Sequence, residues 1–199
     1  MTKCNQLNIY LYKTQHVNKY NSDLFKRFLL LKEAGLADVQ FQYGPYGKPF
    51  VHVPDVHFNI SHSGQYLAGA VSTCSFIGID IERIKPIDFD CIDFFMSEKE
   101  ISYFKEIRLK EEKLDYFYTI WTLKEAYSKM LGMGLHMKLT EISMDNQQIK
   151  PTLKDVFCHS IRVDNLYRLS LICSQEMNLN VIHITEDLII QELKHNQFI

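Results

Sequence analysis

Hydrophobic and polar positions alternate with a period of two in several parts of the chain. Leu7, Ile9 and Leu11 alternate with Asn8, Tyr10 and Tyr12, which predicts a half-buried strand. Further strands are predicted over 39–43, 50–53, 66–72 and 76–83, and in the second half near 141–144, 156–163 and 167–173. The short polar segment between residues 72 and 76 predicts that the strands on either side form a hairpin.

Helical patterns separate these groups of strands. The apolar spacing over 22–34 predicts a helix that ends at Gly35. Glu100 follows Ser97 by three residues, which is the capping-box pattern of a helix start. A longer helix is predicted over 111–131, where a Gly-Met-Gly segment ends it.

The order of helix and then strands recurs along the chain, which favours an α+β fold made of two similar halves. Each half is predicted to be a small antiparallel sheet packed with a long helix, over residues 1–87 and 88–199. The crease between two such halves is the default place for a functional site.

Composition and charge narrow the classes of function. With 199 residues, 46% hydrophobic residues and a net charge of -2, the chain has the composition of a folded protein and has no overall basic field for nucleic acid. No apolar run is long enough for a signal peptide or a membrane span. Five scattered cysteines without a C-x-x-C pair suit neither a disulfide framework nor zinc, so a reducing cytoplasm is expected.

Two carboxylates share one face of the predicted strand 76–83. Gly78, Asp80 and Glu82 alternate with isoleucines, so all three lie on the same side of the strand, with neighbours roughly 6.5 to 7 Å apart. That spacing lets Asp80 and Glu82 reach one hard cation, and Gly78 would leave room for a ligand. The alternative is a solvated polar face of an antiparallel sheet.

A third carboxylate lies on the long helix, which is apolar on most of its surface. Glu125 follows Trp121 by four residues and therefore projects where a core residue belongs, so it needs a partner. One interpretation is an ordinary i,i+4 pair with Lys129. The other is that Glu125 joins Asp80 and Glu82 on one Mg²⁺, an ion that prefers oxygen ligands, and leaves Lys129 free to meet a phosphate.

Two polar loops complete the candidate chemistry. Ser61 and His62 lie in a predicted loop over 58–64 and carry donors suited to phosphate oxygens. The turn over 44–49 contains two glycines and two prolines and holds Lys48 in a constrained position. Short Ser/Gly loops before strands are also common without any function, and such a histidine often only caps the backbone.

Four of these segments, taken in order, resemble the signature blocks of the surfactin-type (Sfp-like) 4′-phosphopantetheinyl transferases. The resemblance covers roughly residues 40–135. The blocks are Gly47-Lys48-Pro49, Phe58-Asn59-Ile60-Ser61-His62-Ser63, Gly78-Ile79-Asp80-Ile81-Glu82 and Trp121-Thr122-Leu123-Lys124-Glu125-Ala126-Tyr127-Ser128-Lys129.

The resemblance implies a reaction and a fold. Members of the family move the 4′-phosphopantetheine arm of coenzyme A onto a serine of a carrier protein and release adenosine 3′,5′-bisphosphate, and their fold is a pseudo-dimer of two α+β halves. It implies that Asp80, Glu82 and Glu125 hold Mg²⁺ and that Glu125 takes the proton from the serine. It also implies that coenzyme phosphates are contacted by Lys129, Lys48, Ser61 and His62.

Two further expectations follow from the resemblance. Longer members hold the 3′-phosphate with basic N-terminal residues, whereas only 39 residues precede Gln40 here, so we expect altered coenzyme affinity. Carrier proteins in this family are acidic, and five basic residues follow Ser97, although interleaved glutamates would equally give a solvated face. These residues are Lys99, Lys105, Arg108, Lys110 and Lys113.

Two alternatives use the same residues. A metal-dependent hydrolase of nucleotide diphosphates would use water as the attacking group, and a non-catalytic protein would bind coenzyme A or the carrier without turnover. Fusion of two halves in one chain favours a monomer.

Overall fold

The computed structural model of the protein describes residues 6–144 and 156–196. Its strands are β1 (Gln6–Lys13), β2 (Gln42–Tyr43), β3 (Pro49–Phe50), β4 (His57–Ser63), β5 (Tyr66–Ser72), β6 (Ile77–Arg83), β7 (Phe157–Val163), β8 (Tyr167–Cys173) and β9 (Asn178–Ile184). Its helices are α1 (Lys19–Ala34), α2 (Glu98–Glu106), α3 (Lys110–Leu131) and α4 (Glu186–His195). Three short 3₁₀ helices cover Phe89–Phe94, Gly134–His136 and Leu139–Glu141.

The four-stranded sheet has the order β4-β5-β1-β9. β1 pairs antiparallel with β5 but parallel with β9, so this sheet is mixed and not purely antiparallel as predicted. Phe25, Phe28 and Leu29 of α1 pack with Tyr10 and Leu67 in a buried cluster on its outer face. β9 and α4, which the sequence analysis missed, complete this half: β9 extends the sheet, and buried residues of α4 join the same cluster.

The three-stranded sheet has the order β6-β8-β7, with antiparallel pairs throughout. Ile77, Ile79 and Ile81 of β6 face Leu7 and Ile9 of β1 in one buried cluster, so the inner faces of the two sheets form a shared core. α3 covers the opposite face of the three-stranded sheet. The α+β fold is thus confirmed, with helices outside two small sheets.

The predicted hairpin between 66–72 and 76–83 is wrong. β5 already has β1 on one side and β4 on the other, so no edge remains for β6, which crosses to the second sheet and pairs with β8. The hairpin is formed instead by β4 and β5. The predicted polar loop over 58–64 is therefore also wrong, since most of it is β4.

The predicted helix boundaries agree with the structure within a few residues. Gly35 and Gly132 end α1 and α3 in the left-handed conformation, with φ of 64° and 72°. The capping box of Ser97 and Glu100 opens α2 as predicted. Three strand predictions are wrong or shortened: a 3₁₀ turn at Leu139–Glu141 takes the place of the strand near 141–144, and the predicted strands 39–43 and 50–53 are reduced to the two-residue strands β2 and β3.

The division of the chain at residue 87 stays a prediction. β6 lies before that point and pairs with β8, while β9 lies after it and pairs with β1. Among the helices in the described part of the chain, none combines the length and the apolar character that a membrane span requires.

Candidate active site

Strand β6 directs Asp80 and Glu82 toward helix α3. The isoleucines between them point into the core shared by the two sheets, so alternation places the carboxylates on the helix side. Asp80 is only 3% exposed, whereas Glu82 is half-buried. Burial raises the pKa of Glu82, and the charge of Asp80 raises it further. The hydrogen bond from Ser63 and the charge of Lys129 lower the same pKa by less.

Gly78 brings the helix close to this strand. A Cβ atom at this position would lie 1.9 Å from the backbone oxygen of Ala126 and 2.5 Å from the nitrogen of Met130. The prediction that Gly78 leaves room for a ligand is therefore wrong, because the backbone of α3 fills that space. The glycine instead lets the helix approach, so that Glu125 and Lys129 come within reach of the carboxylates on β6.

Glu125 lies on the face of α3 that covers β6 and is 9% exposed. Its Oε1 atom is buried and has no hydrogen-bond partner among the residues that the structure describes. Burial raises the pKa of Glu125, the charges of Asp80 and Glu82 raise it further, and Lys129 opposes them. The three predicted carboxylates therefore lie within one another's electrostatic field.

Lys129 connects the helix to both sheets. Its Nζ atom donates to Asp80 Oδ1 at 2.6 Å and to Ser61 Oγ at 2.8 Å, and Ser61 Oγ also donates to Asp80 Oδ1 at 2.8 Å. The ammonium group of Lys129 therefore lies against Asp80, which matches neither the pair along its own helix nor a free lysine, and its contact with a phosphate stays a prediction. Asp80, Ser61 and Lys129 form one network that is largely buried.

Alternate side chains of β4 hold the edge of β6. Asn59 Oδ1 accepts from the Ile79 nitrogen at 2.8 Å, Ser61 Oγ accepts from the Ile81 nitrogen at 3.3 Å, and Ser63 Oγ accepts from the Arg83 nitrogen at 3.0 Å. Ser63 also donates to Glu82 Oε2 at 2.7 Å. We call these three residues the β4 bridge. Sequence reasoning missed Asn59 and Ser63, although their period-two spacing around Ser61 was a signal.

Lys48 and His62 lie apart from this network. Lys48 Nζ donates to the Met130 carbonyl oxygen at 3.2 Å, at the C-terminal end of α3, and burial lowers the pKa of Lys48 to about 8. It lines a cavity of about 220 Å³ together with His57 and Phe76. His62 is exposed and alternates with Ser61, so it lies on the other face of β4.

Several basic side chains in the first 39 residues have partners within the protein. Lys13 pairs with Asp164 at 3.3 Å and Lys26 with Asp23 at 2.5 Å, while the Arg27 side chain donates to a backbone carbonyl. Phe94, three residues before the N-cap residue Ser97 of α2, is 84% exposed, whereas Phe95 and Met96 are buried.

The carboxylates of this site have oxygens that could hold a divalent ion. Over residues 6–144 and 156–196, no three His, Cys, Asp or Glu side chains are already arranged as a metal site. Two buried carboxylate oxygens nevertheless lack a hydrogen-bond partner, Asp80 Oδ2 and Glu125 Oε1. Unpaired buried oxygens of this kind are the ligands that Mg²⁺ prefers, so the residue types fit such an ion.

Comparison with known proteins gives consistent matches. A sequence model described as the 4′-phosphopantetheinyl transferase superfamily matches residues 76–175. A "4′-phosphopantetheinyl transferase" of Bacillus subtilis is 35% identical over 75% of this chain and 70% of its own length. Two others from Bacillus subtilis, named "4′-phosphopantetheinyl transferase ffp" and, in strain 168, "4′-phosphopantetheinyl transferase Sfp", are each 41% identical over 54% of this chain. The match to each of these two spans 48% of the relative's length.

Proposed function

Because the chain belongs to the 4′-phosphopantetheinyl transferase superfamily, we propose that it transfers the 4′-phosphopantetheine group of coenzyme A to a serine of an acyl or peptidyl carrier protein. The other product is adenosine 3′,5′-bisphosphate. The resemblance to surfactin-type members is confirmed by the relatives from Bacillus subtilis. The whole reaction, its donor and its acceptor are part of the proposal.

One observation carries this proposal. Asp80 and Glu82 of β6 and Glu125 of α3 act electrostatically on one another, and Lys129 acts on Glu82 and Glu125 and pairs with Asp80. Carboxylates for a divalent ion and a lysine for a phosphate are the groups that phosphoryl-type transfer needs. A hydrophobic interface between a helix and a sheet has no structural need for three carboxylates.

We propose that Asp80, Glu82 and Glu125 would hold Mg²⁺, with the unpaired oxygens of Asp80 and Glu125 as ligands. When bound, the ion would neutralise the negative charge that develops on the leaving phosphate. The buried position of these side chains supports this role, because a low local dielectric strengthens charge interactions.

Glu125 is proposed as the base. The serine oxygen forms a bond to the phosphorus that carries the pantetheine arm, the bond from that phosphorus to the bridging oxygen breaks, and the bisphosphate leaves. The serine proton passes to Glu125, directly or through a water molecule. The burial of Glu125 among the other candidate residues supports this step, since a base must lie close to the proton that it takes.

The phosphates of the coenzyme are proposed to meet four side chains. Lys129 and Ser61 already lie together beside Asp80, and Lys48 lies at the same end of α3. His62 would have to be reached around the edge of β4. A partly buried lysine and a serine hydroxyl both donate well to phosphate oxygens.

We also propose that the two halves are related as a pseudo-dimer. The order strand, helix, hairpin occurs as β1, α1 and β4-β5, and it recurs as β6, α3 and β7-β8. In each sheet the second hairpin strand lies in contact with the strand that precedes the helix, since β5 pairs with β1 and β8 pairs with β6. This recurrence supports the proposal.

The partner is proposed to be an acidic carrier protein that docks near Phe94 and the basic residues of α2 and α3. Exposure of the Phe94 ring supports an apolar contact there. A monomer in the cytoplasm is part of the same proposal, and size-exclusion chromatography with light scattering and cell fractionation would test these two points.

The decisive experiment incubates the purified chain with coenzyme A, Mg²⁺ and an unmodified carrier protein. We expect the carrier to gain the mass of the phosphopantetheine arm in step with release of adenosine bisphosphate, followed by mass spectrometry and chromatography. Release of bisphosphate without a mass gain would favour a hydrolase. Coenzyme binding without either product would favour a non-catalytic binder.

A further inference from the structure

The position of Lys129 beside the candidate carboxylates gives it a second possible role, in addition to binding a phosphate. Its ammonium group forms an ion pair with Asp80 at 2.6 Å, and its charge acts on Glu82 and Glu125 as well. The side chain of Asp80 is 4% exposed and that of Lys129 is 27% exposed, so the pair is largely shielded from water. The carboxylates therefore already have a positive charge among them before any metal arrives.

The two carboxylate oxygens of Asp80 have different surroundings. Oδ1 accepts from Lys129 and from Ser61, whereas Oδ2 is buried without a partner. Oδ1 of Asp80 is thus occupied by Lys129 and Ser61, whereas Oδ2 is available to a ligand. A divalent ion that approaches Asp80 must share it with Lys129 or displace the ammonium group.

We infer that Lys129 is a resident counter-ion that competes with the divalent ion for Asp80 until a phosphate draws the lysine away. This inference rests on the proposed function, because it assumes that the carboxylates hold a metal. It predicts that metal alone binds weakly. It also predicts that the metal and the coenzyme strengthen each other's binding, because the phosphate frees Asp80 from the lysine and the metal in turn releases the lysine for the phosphate.

The test measures Mn²⁺ affinity in the full chain without coenzyme, from the electron paramagnetic resonance signal of the free ion. Lys129→Gln and Lys129→Met remove the charge, and Gln keeps a hydrogen-bond donor for Asp80 should the Met variant fail to fold. Both should bind Mn²⁺ at least about tenfold more tightly than the parent, because a like charge beside the ion is gone. Lys129→Arg keeps the charge and should bind as the parent does.

Lys138→Met is the matched control. Lys138 also pairs with a carboxylate, Glu141 at 3.0 Å, but the side chains are 79% and 68% exposed. Removing this lysine should leave Mn²⁺ affinity unchanged. Circular dichroism melting gives a second reading: the neutral variants at position 129 should melt below the parent without metal and recover when Mn²⁺ is added, because an ion replaces the missing charge.

The outcomes separate this inference from the proposed function. Tighter Mn²⁺ binding in the neutral variants, with parent-like affinity in Lys129→Arg and Lys138→Met, supports the competition. Equal or weaker binding in the neutral variants, while the parent still binds Mn²⁺, overturns the competition and leaves the metal site in place. Absence of Mn²⁺ binding in all of the proteins overturns the metal site and the competition together.

Discussion

Gly78→Ala tests whether the close approach of α3 to β6 builds the site. The added methyl group would lie 1.9 Å from the Ala126 carbonyl oxygen, and ordinary contact begins at 3.4 Å, so the helix must move outward by about 1.5 Å. The obstacle is backbone, which cannot rotate away as a side chain does. A shift of that size would lengthen the Lys129–Asp80 pair from 2.6 Å to roughly 4 Å and part the carboxylates of the strand from Glu125.

Two measurements follow from this displacement. Overpacking of a tight interface costs about 1 to 3 kcal/mol, occasionally more, so we expect the free energy of unfolding in urea to fall by at least about 2 kcal/mol. The rate of carrier modification should fall further, by about 100-fold or more per folded molecule, because a misplacement of about 1 Å costs that much in an organised site.

Gly69→Ala is the matched control, since it is the same substitution in β5, the strand that precedes β6 in the chain. A Cβ at Gly69 would meet only side-chain atoms, with Leu29 Cδ1 at 2.6 Å as the nearest, and these ends can shift. It should lower stability while keeping the rate per folded molecule close to that of the parent. Equal losses of rate in the two variants, or a fully active Gly78→Ala protein, would refute the reasoning.

Three other measurements test separate features. Asp80→Asn and Glu125→Gln should each slow carrier modification at least about 100-fold without unfolding the chain, because both side chains face the site. Glu125→Gln should still bind coenzyme A. A parental rate in either variant would refute the role assigned to that residue. Since burial lowers the pKa of Lys48 to about 8, its charge is lost as the pH rises through about 8, so the KM for coenzyme should rise there in the parent and not in Lys48→Met. Lys124→Met should lower the free energy of unfolding in urea by about 3 to 5 kcal/mol, because it leaves Glu100, 2.6 Å away and fully buried, without its cation; a loss near zero would contradict this.

The sequence predicts most strands and helices of the fold but not which strands pair with each other. Period-two spacing identified β1, β5, β6 and β8, because alternation is imposed by the strand itself. The same spacing does not say which strand lies next, so the hairpin was assigned to β5 and β6 when β4 is the true neighbour of β5. β4 was overlooked because most of its residues are serine, histidine and asparagine, which are typical of loops.

The site could be predicted as far as residue type and face determine it. The enclosure of Glu125 followed from its spacing to Trp121, and the shared side of Asp80 and Glu82 followed from alternation. The contact of Lys129 with Asp80 did not follow, because a helix pair satisfies the same sequence pattern. The space at Gly78 was misassigned because an absent Cβ does not say whether a ligand or a helix takes its place.

The β4 bridge has a consequence for how the carboxylates are aimed. Side chains of Asn59, Ser61 and Ser63 bind three successive alternate amides of β6, so sliding the strand by one residue would leave all three unmatched. Such a shift would turn the isoleucine side chains of β6 toward α3 and place its carboxylates in the apolar core between the two sheets. β4 and β6 are each the edge strand of a sheet, and an uncovered edge can pair with another chain. Here the two edges bind each other. The orientation of the acidic side chains is therefore fixed during folding, before any substrate is present.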